Sequence, residues 1–228
     1  MRSASSILLA VDTSTRVVGL ALYDGTQVLS ELSWSSIDYH TVELAPAVAE
    51  ALNKADISYE ALGALAVALG PGSFTGLRIG MALAKGLALA RHLPMIGVPT
   101  LDILAAAQPI RATRLAAVLR AGRGRLAVGW YEAQNKAWKL VRKVEVCTPA
   151  ELARQIDQPT CVCGELNEEE REFLSQHHPD VLLASPAHSL RRSGFLAELA
   201  WTRWKAGATD DPASLSPIYL HYNDPIPG

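Results

Sequence analysis

The sequence predicts an α/β protein of two lobes, each built from the element order βββαβα. This order occurs twice along the 228 residues, and short apolar runs alternate with helical patterns within each half. A glycine-dense turn at residues 70–76 joins an apolar run to a long helical pattern in the first half. An apolar content of 49% is enough for a substantial core. We place the boundary after residue 108, so that residues 1–108 and 109–228 form the two lobes.

Apolar runs bounded by turn residues predict the strands of the first lobe. Asp24-Gly25 is typical of a hairpin turn and joins the second strand to the third. Apolar residues at helical spacing follow, and Thr41 is the predicted cap of that helix. The predicted elements are strands 6–11, 17–23 and 26–33, helix 40–55, strand 64–69, helix 76–90, strand 95–98 and helix 101–107.

The same order begins again after a linker at residues 109–113. Thr148 stands immediately before a helical pattern and is its predicted cap. Two further helical patterns complete the chain. The predicted elements of this lobe are strands 115–119, 126–131 and 139–146, a helix from Thr148 to Gln155, strand 161–163 and helices 168–177 and 193–206.

The turn between the strand and the long helix of the first lobe reads Gly70-Pro71-Gly72-Ser73-Phe74-Thr75-Gly76. Gly70 and Gly72 supply backbone freedom, and Ser73 or Thr75 can cap the helix. Free backbone N–H groups at such a turn can hold a phosphate, although the turn lacks the Lys-Ser/Thr ending of a P-loop. The other interpretation is a tight connection without a ligand.

Small residues recur every fourth position in the helix after this turn, at Gly76, Gly80, Ala84 and Ala88. Another element can approach closely along such a stripe, because it has almost no side chains. Two interpretations remain open. The helix lies deep inside its own lobe, or part of it is buried only when a partner binds.

Composition excludes several classes of protein. A net charge of −2 does not favour a general nucleic-acid binder, and neither the three cysteines nor the six histidines show a convincing metal-binding spacing. The compact apolar run near the start, residues 7–11, is too short for a signal sequence or a membrane span. We therefore expect a cytoplasmic protein that binds neither a metal ion nor a membrane.

The charge is unevenly distributed along the chain. Residues 1–60 carry eight acidic residues against three basic ones, whereas from Arg111 to Lys143 nine basic residues accompany only Glu132. Three of the nine, Arg120, Arg123 and Arg125, surround a glycine-containing turn. This density of positive charge can contact a phosphate backbone, or it is a solvated hairpin surface.

A polar motif, Asp12-Thr13-Ser14-Thr15, follows the first strand. Its carboxylate and hydroxyls can face a phosphate–metal complex, or they can simply hold a turn. Together with the glycine-dense turn and the two similar halves, this layout resembles the actin-like ATPase superfold, which is ribonuclease H-like. Five motifs resemble, in order, the bacterial TsaB (YeaZ) family: Asp12-Thr13-Ser14-Thr15, His40-Thr41, residues 70–80, Gly97-Val98-Pro99-Thr100-Leu101 and Pro217-Ile218-Tyr219-Leu220. The likeness is close over the first 107 residues and looser beyond them.

The resemblance implies a role in forming N6-threonylcarbamoyladenosine (t6A) at position 37 of tRNAs that read ANN codons. It implies a non-catalytic scaffold that binds and supports the catalytic paralogue, TsaD, through the N-terminal lobe. Further implied partners are a TsaE-like ATPase, a second copy of the chain, and tRNA through the complex. The chain itself then requires no cofactor, and ATP or ADP is expected at the interface with the paralogue.

Expected roles of individual residues follow from the resemblance for the partner interface, from the residue types of the two turns for phosphate, and from the local positive charge for tRNA. The implied partner interface comprises His40, Thr41, Leu44, Val48, Gly76, Gly80, Met81, Ala84 and Lys85. Phosphate or nucleotide contacts are expected at Asp12, Thr13, Ser14, Gly72 and Ser73. Contacts with tRNA are expected at Arg120, Arg123 and Arg125.

No catalytic residue and no metal ligand is expected in this chain. The catalytic paralogue carries a His-x-x-x-His pair where this chain has Thr100 and Leu104, and a leucine cannot bind a metal ion. The turn from Arg120 to Arg125 also departs from the Asp-Ala-Arg-x-Gly-Glu pattern of the family, because basic residues replace acidic ones. Two alternatives remain: a small nucleotide-hydrolysing or sugar-kinase-like enzyme of the same superfold, and a tRNA-binding module that acts alone.

Overall fold

The computed structural model describes residues 7–36 and 40–220, and for His40 the backbone alone. The described residues form two mixed β-sheets with helices packed against them, so the predicted α/β fold with two lobes is confirmed. Within these ranges no helix combines the length and the apolar character needed to cross a membrane.

The first sheet has the strand order β3-β2-β1-β4-β5, in which β1 pairs antiparallel with β2 and parallel with β4. All residues of β1 and β4 are buried, because helices cover both faces of this sheet. Its elements are β1 (Ile7–Asp12), β2 (Val17–Tyr23), β3 (Val28–Ser35), α1 (His40–Lys54), β4 (Leu62–Ala68), α2 (Phe74–Arg91), β5 (Met95–Val98) and α3 (Thr100–Ala106).

The second sheet has the order β11-β10-β6-β7-β8, and β9 pairs with the other end of β7. Its elements are β6 (Arg114–Arg120), β7 (Leu126–Gln134), β8 (Ala137–Leu140), β9 (Glu145–Cys147), α4 (Pro149–Gln155), β10 (Thr160–Gly164), α5 (Glu168–His177) and β11 (Val181–Leu183), and α6 (Ser193–Lys205) follows it in the chain.

Helices α1 and α2 pack on one face of the first sheet, and α6 packs on the other. Leu196, Ala197 and Ala200 of α6 are buried against Leu8 and Ala10 of β1. The last helix therefore returns to the first sheet, although a division of the chain after residue 108 places it in the second lobe. Helix α3 lies between the two sheets. Its Ile103 packs with apolar residues of the first sheet, whereas Leu101 and Leu104 pack with apolar residues of the second sheet.

Two predicted features differ from the structure, and one strand was not predicted. The predicted strand 139–146 is two short strands, β8 and β9, which pair with opposite ends of β7 and are separated by exposed residues. Thr41 does not cap α1, because the helix begins one residue earlier, at His40. Strand β11 was not predicted, since three partly exposed residues give almost no pattern.

Candidate functional site

The Asp12 turn lies at the carboxyl end of β1, where the two lobes meet. The Asp12 side chain is almost completely buried, with only 2% of the residue exposed. Its Oδ1 accepts hydrogen bonds from the backbone N (2.8 Å) and the hydroxyl (2.5 Å) of Ser14. Its Oδ2 accepts a hydrogen bond from Nε of Arg191 at 2.9 Å. Both carboxylate oxygens therefore have partners within the chain.

Arg191 joins this turn to the second lobe, and no sequence motif marks it as a site residue. Its Nη1 donates to Oε1 of Glu165, directly after β10, at 2.8 Å. Its Nη2 donates to the Thr15 hydroxyl and to the Val17 carbonyl oxygen. Burial lowers the pKa of the Arg191 guanidinium, but the stronger combined effect of Asp12 and Glu165 raises this pKa above its ordinary value. The guanidinium is thus a permanent cation between two carboxylates.

The glycine-dense turn packs directly on the Asp12 turn. The backbone N of Ser73 donates to the Ser14 carbonyl oxygen at 2.6 Å, and a Cβ atom at Gly72 would lie 2.1 Å from that same oxygen. Ser73 caps α2, because its hydroxyl accepts a hydrogen bond from the Gly76 backbone N at 3.2 Å. The contacts of this turn are therefore those of a tight connection between a strand and a helix.

The small-residue stripe of α2 faces Thr13. The Thr13 hydroxyl donates to the Gly76 carbonyl oxygen at 2.7 Å. A Cβ atom at Gly76 would lie 2.2 Å from the Thr13 carbonyl oxygen, and one at Gly80 would lie 2.2 Å from the Thr13 Oγ1. Both glycines are needed because the helix backbone approaches the turn closely. Of the two interpretations of the stripe, burial inside its own lobe holds for these positions.

The five residues predicted to contact phosphate, Asp12, Thr13, Ser14, Gly72 and Ser73, do lie together. Asp12 accepts hydrogen bonds from Ser14 and Arg191, and the Ser73 backbone N donates to the Ser14 carbonyl oxygen, so the two turns are in contact. A metal ion would need the Asp12 oxygens, which already accept three hydrogen bonds. A metal ion at this turn would therefore have to compete with Ser14 and Arg191 for the Asp12 carboxylate. The predicted phosphate contacts stay a prediction.

The predicted partner interface requires correction. Five of its residues are buried in the core of their own lobe and do not line the outer surface of these helices: Val48, Gly76, Gly80, Met81 and Ala84. Leu44 is also buried, but its side chain lies at the base of the groove between α1 and α2. Thr41 is exposed and Lys85 is half-buried, while the side chain of His40 lies outside the described structure. Gly76 and Gly80 face Thr13, whereas Val48, Met81 and Ala84 pack into the core of the first lobe.

The outer side of the same two helices is exposed instead. A groove of about 480 Å³ runs between α1 and α2. Large apolar side chains on these helices are unusually exposed: Val42 by 67%, Phe74 by 53% and Leu89 by 78%. The residues that line the groove are Thr41, Leu44, Ala45, Phe74, Thr75, Arg78, Ile79, Ala82 and Leu83. We call this surface the α1–α2 face; it has the character of an interaction surface.

The three predicted tRNA-contacting arginines lie around one turn between β6 and β7. Arg120 forms an ion pair with Glu170, with Nη2 and Oε2 3.1 Å apart. Arg123 is exposed at the tip of the turn in a left-handed conformation, with φ of 52°. Arg125 is half-buried, and its backbone N bonds the Gly122 carbonyl oxygen. Arg123 is the most openly presented of the three.

Thr100 and Leu104, the positions at which the resemblance places the histidines of the paralogue, are buried in the core of this chain. Thr100 is buried and its hydroxyl accepts a hydrogen bond from the Gly70 backbone N at 2.9 Å, and Leu104 is buried between the lobes. Within residues 7–36 and 40–220, no cluster of three His, Cys, Asp or Glu side chains could hold a metal ion. Burial raises the pKa of Cys147 to about 12, so its thiol is not a nucleophile at neutral pH.

Comparison with known proteins supports one relationship. The family model "TsaD: tRNA N6-adenosine threonylcarbamoyltransferase" matches residues 27–179. The protein "tRNA threonylcarbamoyladenosine biosynthesis protein TsaB" of Bacillus subtilis is 33% identical over 160 residues, which cover 69% of this chain and 70% of that protein. The protein of the same name from Escherichia coli is 40% identical over 130 residues, which cover 56% of this chain and 55% of that protein.

Solved structures agree with this relationship and confirm the predicted superfold. YeaZ from Pseudomonas aeruginosa has a TM-score of 0.78 and 29% identity, over 94% of this chain and 100% of that chain. The ROK hexokinase from Thermus thermophilus, with a TM-score of 0.51 and 12% identity over 88% of this chain and 100% of its own, shares the fold alone. Both likenesses place the chain in the two-lobed actin-like ATPase fold.

Proposed function

Because the chain belongs to the TsaB family of tRNA threonylcarbamoyladenosine biosynthesis proteins, we propose that it is a non-catalytic subunit of the assembly that forms t6A. In this proposal, the chain binds a TsaD-like catalytic paralogue and supports its reaction at position 37 of tRNA. We also propose a cytoplasmic location, since tRNA is the substrate of the assembly.

The observation that carries the non-catalytic role is the position of the Arg191 guanidinium. It pairs with Asp12 and Glu165 where the two lobes meet, so neither an activating carboxylate nor a metal ligand is free at the Asp12 turn. A nucleotide-hydrolysing or sugar-kinase-like enzyme of this fold would need such a group there. The observed pairing therefore argues against the alternative that the chain is such an enzyme.

The α1–α2 face is the proposed site of the paralogue. It combines exposed apolar side chains with small residues, Ala45 and Ala82, that let a second pair of helices approach. A paralogue of the same fold would present its own equivalent helices to this groove. A second copy of this chain can bind in the same way, so a homodimer would compete with the heterodimer.

The remaining partners join through the assembly in this proposal. ATP or ADP binds at the surface shared with the paralogue rather than at the Asp12 turn, and the chain alone requires no cofactor. A TsaE-like ATPase binds the assembled subunits. Among the basic residues, Arg123 is the proposed contact with tRNA phosphate, because it is exposed at the tip of its turn.

The proposed function is tested by reconstituting t6A formation from purified components. We expect the chain alone to form no t6A and to hydrolyse no ATP above background, and we expect the TsaD-like paralogue to reach full activity only when the chain is added. The measurement is t6A content in tRNA, together with phosphate release. ATP hydrolysis or t6A formation by the chain alone, at the rate of the full assembly, would contradict the proposal.

A further inference from the structure

The end of the described chain crosses the N-terminus of α2. We call residues 215–220 the C-terminal strap. The backbone N of Ile218 donates to the Leu69 carbonyl oxygen at 2.7 Å, and Leu215 packs against the core beneath α1 and α2. The Tyr219 ring then lies 5.0 Å from the Phe74 ring, measured between centroids. The strap is therefore fixed to the lobe that carries the α1–α2 face.

The strap holds one arginine of that face in position. The Arg78 Nε donates to the Tyr219 hydroxyl at 3.1 Å, and the Arg78 guanidinium carbon lies 3.8 Å from the centre of the Phe74 ring. The stacking and the hydrogen bond fix the guanidinium plane, which reduces the entropy lost when a partner binds. Tyr219 and Phe74 thus present Arg78 in one orientation.

The charge of Arg78 has no counterpart within the described residues. Its side chain is exposed, and no carboxylate in residues 7–36 or 41–220 lies within ion-pair distance of its nitrogens. The Nη groups remain available to an acceptor, since the bond to Tyr219 uses only Nε. An arginine fixed between aromatic rings at the edge of an apolar groove has the chemistry of an interface anchor.

We propose that Arg78 anchors the TsaD-like partner by pairing with one of its carboxylates, and that Tyr219 of the C-terminal strap positions Arg78 for this contact. The inference rests on the proposed function. The partner is assigned because Phe74 and Arg78 line the groove itself, so the anchor is continuous with the proposed interface. The strap is thereby part of the docking surface rather than only a tail.

The test is a double-mutant cycle on the full chain with the purified paralogue. Arg78→Met keeps the aliphatic stem and should raise the Kd at least about tenfold, and it should reduce the dependence of the Kd on salt. Tyr219→Phe removes only the hydroxyl and should raise the Kd by a smaller factor. In the Arg78→Met background, Tyr219→Phe should have no further effect, because Tyr219 acts through Arg78.

Arg91→Met is the matched control. Arg91 is an exposed arginine of the same helix, about 20 Å further along and on nearly the opposite side. It should leave the Kd unchanged, and all variants should keep the wild-type melting temperature. Additive effects in the cycle, or an unchanged Kd for Arg78→Met, would overturn the inference, as would variants that weaken only self-association. Failure of the wild-type chain to bind the paralogue would instead refute the proposed function.

Discussion

Arg191→Ala is expected to lower the free energy of unfolding by about 3–5 kcal/mol, because it leaves the buried Asp12 carboxylate, and the partly exposed Glu165 beside it, without a counter-charge. The substitution also removes the hydrogen bonds to Thr15 and Val17, which hold the Asp12 turn against the second lobe. The measurement is urea unfolding followed by circular dichroism. Arg191→Lys should recover part of the loss, since it restores the charge without the planar fork.

Arg192→Ala is the matched control for this prediction. Arg192 is the adjacent residue and also forms an ion pair, with Glu31, but its side chain is 56% exposed. Exposed pairs stabilise proteins by about 0–1 kcal/mol, so this variant should remain close to the wild type. Equal losses for the two variants would show that the Arg191 pair has no special role in joining the lobes.

Gly80→Ala is expected to destabilise the protein by about 1–3 kcal/mol, although alanine favours helices over glycine. The added Cβ would lie 2.2 Å from the Thr13 Oγ1, which itself bonds the Gly76 carbonyl oxygen. Either α2 or the Asp12 turn must move to accept it. The measurement is again the free energy of unfolding in urea.

Gly86→Ala provides the comparison within the same helix. A Cβ at Gly86 would meet no atom within 4 Å. This variant should therefore gain up to about 1 kcal/mol of stability from helix propensity alone. Stabilisation by both substitutions would show that α2 does not pack closely on Thr13.

Much of the fold could be predicted because its signals are local. The bounds of β2, β5 and α5 agree with the prediction, and Thr148 caps α4 through a capping box with Glu151. The prediction did not separate strands β8 and β9, because polar and apolar residues are mixed in the same way throughout both strands and the segment between them. Helix α6 was predicted, but its return to the first sheet depends on contacts with distant residues such as Leu8.

The candidate site shows where sequence reasoning ends. The sequence marked the Asp12 turn and the glycine-dense turn as two separate motifs, and the structure brings them together because each follows one of two paired strands, β1 and β4. Arg191 was missed because it lies 179 residues from Asp12 and no local pattern marks it. The stripe of α2 was visible, yet periodicity alone identifies a helix face and not what covers it. Only the contact with Thr13 decides that the stripe points inward.

Ala82→Arg tests whether the α1–α2 face binds the TsaD-like paralogue. Ala82 is exposed in the groove, so the substitution should leave the fold intact while blocking helix approach. Ala206→Arg, an equally simple change at the exposed end of α6, is its control on the opposite face of the first sheet. We expect Ala82→Arg to raise the Kd for the paralogue at least about thirtyfold and Ala206→Arg to leave this Kd unchanged. A folded Ala82→Arg variant with the wild-type Kd would contradict binding at this face.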